Sequence, residues 1–65
     1  MNTICSGLRE LRIKNKKTQK EMGEILGTSA NMYQKYEYRQ VELPVRHAIK
    51  LGKYFNFDWW ELYED

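Results

Sequence analysis

The chain has one cysteine, one histidine and one proline, and no apolar run approaching the length that crosses a bilayer. Each scarcity excludes something. Cys5 alone cannot close an intrachain disulfide, and no apolar core of a secretion signal is present, so the sequence predicts a soluble protein of the reducing cytoplasm with no membrane partner. His47 has Arg46 beside it, no second imidazole anywhere and no cysteine near it in spacing, which leaves a zinc site or a catalytic relay without ligands. Cys5 lacks the surroundings of a nucleophile, and neither a GxGxxG fingerprint nor a P-loop occurs. An enzyme, a cofactor and a metal centre are therefore not expected. No stretch has the alternation and turn chemistry of a β-hairpin, and no internal repeat is visible.

What remains is 65 residues, enough for a single domain spanning 1–65 with its core between about residues 4 and 63. A chain of this size buries only roughly 60% of its unfolded surface, so association could supply part of the stability. The net charge of +2 is unevenly placed. Residues 1–40 carry eight Lys or Arg against four Glu, leaving +4, and residues 41–65 carry three against five, leaving −2. Local basic groups attract a polyanion irrespective of total charge, although mixed Lys and Glu are also the ordinary solvated surface of small helical proteins.

The segment TQKEMGEILGTSANMYQKYE, residues 18–37, reads as two short helices joined at Gly27. Thr18 can cap the first and Glu21 can close a capping box, while Thr28 or Ser29 can cap the second from about Ala30. That spacing is a helix-turn-helix, and a second helix exposed beside basic residues can enter the roughly 12 Å major groove of a duplex.

Before it, a helix over about residues 4–14 places Leu8 and Leu11 on one stripe, with Ile13 off it and the basic KNKK run at its end. Met22, Ile25 and Leu26 supply the apolar face of the second helix, and Gly23 would let another helix approach closely. Tyr33 and Tyr36 should point inward from the third helix, leaving Ala30, Asn31, Gln34 and Lys35 among its outward positions. The YRQVEL segment is a loop, and Pro44 fits the first turn of a fourth helix running to about Phe55. Val45, Ala48, Ile49, Leu51 and Gly52 give that helix a wide buried face, Tyr54 and Phe55 close the core, and Arg46, Lys50 and Lys53 stay in solvent. Asp58 can cap a short fifth helix holding Trp59, Trp60, Leu62 and Tyr63. The expected fold is all-α with five short helices.

The LRELR opening, the two halves of the central motif, the Pro44-led helix and the closing AIKLGKYFNFDWWEL resemble, in that order, the Cro and phage-repressor type of helix-turn-helix family, often called XRE-like. The likeness runs from Leu8 to Leu62 and implies a compact five-helix, lambda-repressor-like DNA-binding domain with its helix-turn-helix at helices 2 and 3. Family members usually carry Ala where this chain has Gly23, a branched apolar residue in place of Thr28 and commonly Gly in place of Arg39.

On that resemblance, Ala30, Asn31 and Lys35 align with side chains that face base edges, with Met32 and Gln34 at the groove margins. Asn31 could pair with adenine, Lys35 could donate to guanine, and Ala30 could touch a thymine methyl. Gln19 would reach a phosphate at the start of helix 2, where N–H groups and the helix dipole favour an anion, and would brace the recognition helix. Lys20, Thr28, Ser29, Arg39 and Gln40 complete the expected phosphate contacts, with Lys16 and Lys17 adding less directional charge. Arg12 and Glu37 resemble a structural ion pair tying the first helix to the end of the third. The resemblance further implies double-stranded DNA as partner, transcriptional repression as the role, and a pseudopalindromic operator read by a homodimer.

Two adjacent tryptophans on one helix point about 100° apart, so Trp59 is expected inside and Trp60, with Tyr63, outside. That outer pair would suit a two-fold mate, or it is a surface aromatic pair covering its neighbours. A second class of function stays open beside DNA binding: a protein-interaction module of the same fold with weak or no DNA binding.

Overall fold

The structure, a computed structural model, describes residues 6–63. The chain forms α1 (Ser6–Lys14), α2 (Gln19–Leu26), α3 (Ala30–Glu37) and α4 (Val45–Phe55), followed by a 3₁₀ turn (Trp59–Tyr63). The expected start of α1 at Ile4, and Cys5, lie outside the described residues. The anticipated fifth α-helix is a single five-residue 3₁₀ turn. Short helical pieces of this kind take the tighter 3₁₀ form. Among the described residues no helix is long and apolar enough to cross a membrane.

One core unites these elements: Leu8 from α1, Met22 and Leu26 from α2, Tyr33 and Tyr36 from α3, Ala48 and Leu51 from α4, and Leu62 from the 3₁₀ turn. Leu43, from the loop before α4, is also buried, although an isolated leucine in a polar stretch carries no period by which to read it. Full burial of such a side chain stabilises by roughly 1.5–3 kcal/mol.

The face of α4 is narrower than expected. Ala48, Leu51 and Gly52 are buried and Phe55 packs against the core, but Val45 and Tyr54 are exposed. Val45 begins the helix and is exposed, and Tyr54 lies off the stripe through Ala48, Leu51 and Phe55, edge-on to Phe55 at a ring separation of 4.8 Å. Pro44 stands one residue earlier than expected, as the cap preceding Val45, with φ −62° and ψ 144°. Gly23 admits backbone rather than a helix: a Cβ there would lie 2.8 Å from the Ser29 carbonyl oxygen.

All four α-helices end in the same way, with a residue in the left-handed region just past the last turn. In α1 the Lys17 amide reaches the Arg12 carbonyl at 3.0 Å, and in α2 the Thr28 amide reaches Gly23 at 2.7 Å. The Gln40 amide bonds the Lys35 carbonyl at 2.9 Å after α3, and Phe57 bonds Gly52 at 3.1 Å after α4. The left-handed residues are Lys16, Gly27, Arg39 and Asn56, at φ 56°, 74°, 60° and 59°. Glycine and asparagine suit such a position, whereas a lysine or arginine there is strained by on the order of 1 kcal/mol.

Candidate nucleic-acid interface

The turn between α2 and α3 is built from local signals. Thr18 Oγ1 accepts from the Glu21 amide at 3.0 Å while Glu21 Oε1 accepts from the Thr18 amide at 2.8 Å, a complete capping box. The bond from the Thr18 amide, followed by that from its side chain, outweighs slight desolvation and holds the Glu21 carboxyl below its ordinary range. Gly27 then reverses the chain, and Ser29 Oγ accepts from the Met32 amide at 3.0 Å. Ser29, not Thr28, is therefore the cap of α3. Thr28 is half-buried and serves the end of α2 through its amide.

This arrangement presents one polar face. Asn31, Gln34, Lys35 and Gln40 are exposed and line a shallow surface depression together with Tyr38. Ala30 is half-buried at the first position of α3, and Met32 is half-buried against the core. Lys20, Ser29 and Arg39 are exposed, and Gln19 is half-buried. The face thus combines amides, an ammonium and a phenol, all able to hydrogen-bond a polar edge. Tyr38 is the member that sequence reasoning missed; it falls two residues after Tyr36, outside the three-residue step of the buried tyrosines, and that offset marks it as outward.

Behind the face lies a charged hub. Glu37, 2% exposed, accepts from Arg12 Nε at 2.9 Å and from Arg12 Nη2 at 3.2 Å, and its Oε1 also accepts from Gln19 Nε2 at 3.3 Å. The expected ion pair is present, and Gln19 braces the end of the third helix from the start of the second. Arg12 Nη1 additionally donates to the Lys17 carbonyl at 3.3 Å, fixing the turn between α1 and α2. Burial alone would raise the Glu37 carboxyl, but the Arg12 hydrogen bonds and charge, helped by Gln19, outweigh it and hold the group below the usual carboxylate range. The enclosed Tyr33 hydroxyl lies beside this pair without reaching hydrogen-bond geometry, and burial, followed by the Glu37 carboxylate, pushes its ionisation well above the ordinary value.

Trp59 packs against the core, edge-on to Trp60 at 5.7 Å and to Tyr63 at 6.4 Å. Trp60 is 51% exposed and Tyr63 42%. The Tyr63 hydroxyl donates to the Leu43 carbonyl at 2.8 Å, so this partly exposed ring is anchored in place. His47 sits edge-on to Tyr36 at 5.8 Å; partial burial, then the charges of Arg46 and Lys50, lower its pKa.

A helix-turn-helix family model matches the chain over residues 8–60, from Leu8 in α1 to Trp60 in the 3₁₀ turn. No curated protein and no solved structure matches it.

Proposed function

The chain belongs to the helix-turn-helix family, of Cro/XRE type, with the DNA-binding capability of that architecture, and from this premise we propose a transcriptional repressor that reads double-stranded DNA through α3. The observation that carries the reading is the depression on which Asn31, Gln34, Lys35 and Gln40 open together, immediately beyond the capped turn. Asn31 pairs with an adenine edge, Lys35 donates to guanine, Ala30 meets a thymine methyl, and Met32 and Gln34 border the contact. Gln19, Lys20, Thr28, Ser29, Arg39 and Gln40 hold the flanking phosphates, with the N-terminus of α2 favouring the anion.

The operator is a pseudopalindrome read by a homodimer in the cytoplasm. One protomer extends 30 × 24 × 22 Å and carries one recognition helix, so half-sites about 34 Å apart need two copies. The exposed Trp60, beside the partly exposed Tyr63, supplies the two-fold contact. Repression would follow from occupying a promoter.

The test is selection of bound duplexes from a random pool at about 0.15 M salt, repeated with an Asn31→Ala, Lys35→Ala double variant. A recovered motif that the double variant loses supports the reading, and a palindrome supports the dimer. No enrichment at any protein concentration sinks specific DNA recognition and favours the protein-interaction module, with Trp60 as its contact.

A further inference from the structure

The Glu37 carboxylate accepts from two directions. Arg12 holds both of its oxygens from α1, at 2.9 and 3.2 Å, and Gln19 Nε2 reaches Oε1 at 3.3 Å from the first residue of α2. The Arg12 bonds alone satisfy both oxygens, and Thr18 with Glu21 already caps α2. Neither the ion pair nor the helix start therefore needs the third bond.

That bond does fix a direction. The Arg12 charge keeps Glu37 ionised, and an ionised carboxylate is an acceptor without a donor. The Gln19 amide can face it by its nitrogen and not by its oxygen, because the flipped amide would set one acceptor against another beside a carboxylate only 2% exposed. An amide nitrogen carries two protons. Glu37 takes one, and among the described residues the amide makes no further hydrogen bond. Gln19 is half-buried, so the side chain that is tied inward at one proton still borders solvent at the start of α2.

We propose that Glu37 is a positioning residue for DNA binding: its carboxylate orients the Gln19 amide so that one N–H is tied inward and the other is presented to the backbone of a bound duplex. The proposal rests on the DNA reading above, and gives the buried ion pair a part in binding, through Gln19, that its stabilising role does not contain.

The experiment is a double-mutant cycle on affinity for a mixed-sequence duplex at about 0.15 M salt, run at a temperature where melts show every variant folded. Gln19→Ala should weaken binding by roughly tenfold, the share of one hydrogen bond to a charged group. Glu37→Gln, whose amide accepts either end of Gln19, should weaken it as well, and the double variant should bind no worse than Gln19→Ala alone. The control cycle pairs Glu37→Gln with Lys20→Gln, an exposed lysine of α2, and there the two losses should multiply. A Glu37→Gln loss of the same size with and without Gln19 would reduce Glu37 to a structural residue and overturn the proposal, as would Glu37→Gln binding at full strength. A second measurement needs no variant: NMR of the wild-type protein resolves the two side-chain amide protons of Gln19. The proton on the carboxylate should lie downfield and stay there when duplex is added, while the other moves. Duplex that shifts the downfield proton instead displaces Glu37, and the positioning role is refuted. Wild-type protein that binds no duplex at any salt refutes the DNA reading itself and the positioning role with it, a result distinct from the failure of the cycle.

Discussion

Glu37 closes α3 with its carboxylate 2.9 Å from the guanidinium of Arg12, a residue 25 positions earlier on α1. With Glu37 buried and Arg12 18% exposed at its side chain, this pair is shielded more than a surface salt bridge, and the partner left behind by a mutation would be an uncompensated charge. Arg12→Ala should therefore destabilise the domain by about 3 kcal/mol, a large share of what so small a core supplies. Urea unfolding measures it; a loss under about 1 kcal/mol would mean that the pair behaves as an exposed one.

The same pair sets a direction for acid sensitivity. Glu37 is depressed in the fold relative to its ordinary value of 4.5, so its contribution is complete above that value and is lost as pH falls through the lower, folded-state value. His47, also depressed, favours the fold in its neutral form, and the contribution it makes above its ordinary 6.5 declines on acidification. Stability should thus fall from about pH 6.5 downward, gently at first and then steeply below 4.5. In Glu37→Gln the steep limb should flatten, as read by melts across pH, and an unchanged limb would assign it to other carboxylates.

Ser29 and Thr28 compete in the sequence for one cap, and Ser29 holds it. Ser29→Ala should cost about 1 kcal/mol, whereas Thr28→Ser, which keeps the amide that closes α2, should change little. Equal losses from both in chemical denaturation would refute the assignment.

Gly52 is buried against the chain that follows it, where a Cβ would meet the Trp59 Cβ at 2.9 Å and the Phe57 carbonyl oxygen at 3.1 Å. Gly52→Ala should displace Trp59 and destabilise by roughly 1–3 kcal/mol despite alanine's better helix propensity. A red-shifted tryptophan emission would report the displacement. A stabilised variant with unshifted emission would show that the turn yields without effect.

Trp60, half exposed beside the anchored Tyr63, is the residue whose truncation should act on assembly and leave the fold alone. Trp60→Ala should keep its melting temperature at low concentration while shifting sedimentation from dimer to monomer. A wild-type chain that sediments as a monomer throughout would remove the two-fold contact from the proposed function.

By itself the sequence determined the order of the helices, the capping box at Thr18 and Glu21, the reversal at Gly27, and the inward leucines and tyrosines of the first three helices. Those features depend on groups three or four residues apart, and composition at that range fixes them whatever the rest of the chain does. It also marked Arg12 with Glu37 and the outward Asn31 and Lys35, because the family pattern gives them a place in the order of residues.

Only the tertiary structure decided where longer-range neighbours stand. Leu43 became core because the loop folds over Tyr36 and Leu62, while Val45 and Tyr54, apolar and on a helix, stayed exposed. Gln19 met Glu37 because the start of α2 and the end of α3 converge, and Lys16 and Arg39 took left-handed backbones because each helix must stop and turn at that point. Burial depends on which surfaces face one another, and that is set by the packing of whole elements rather than by any residue's own preference.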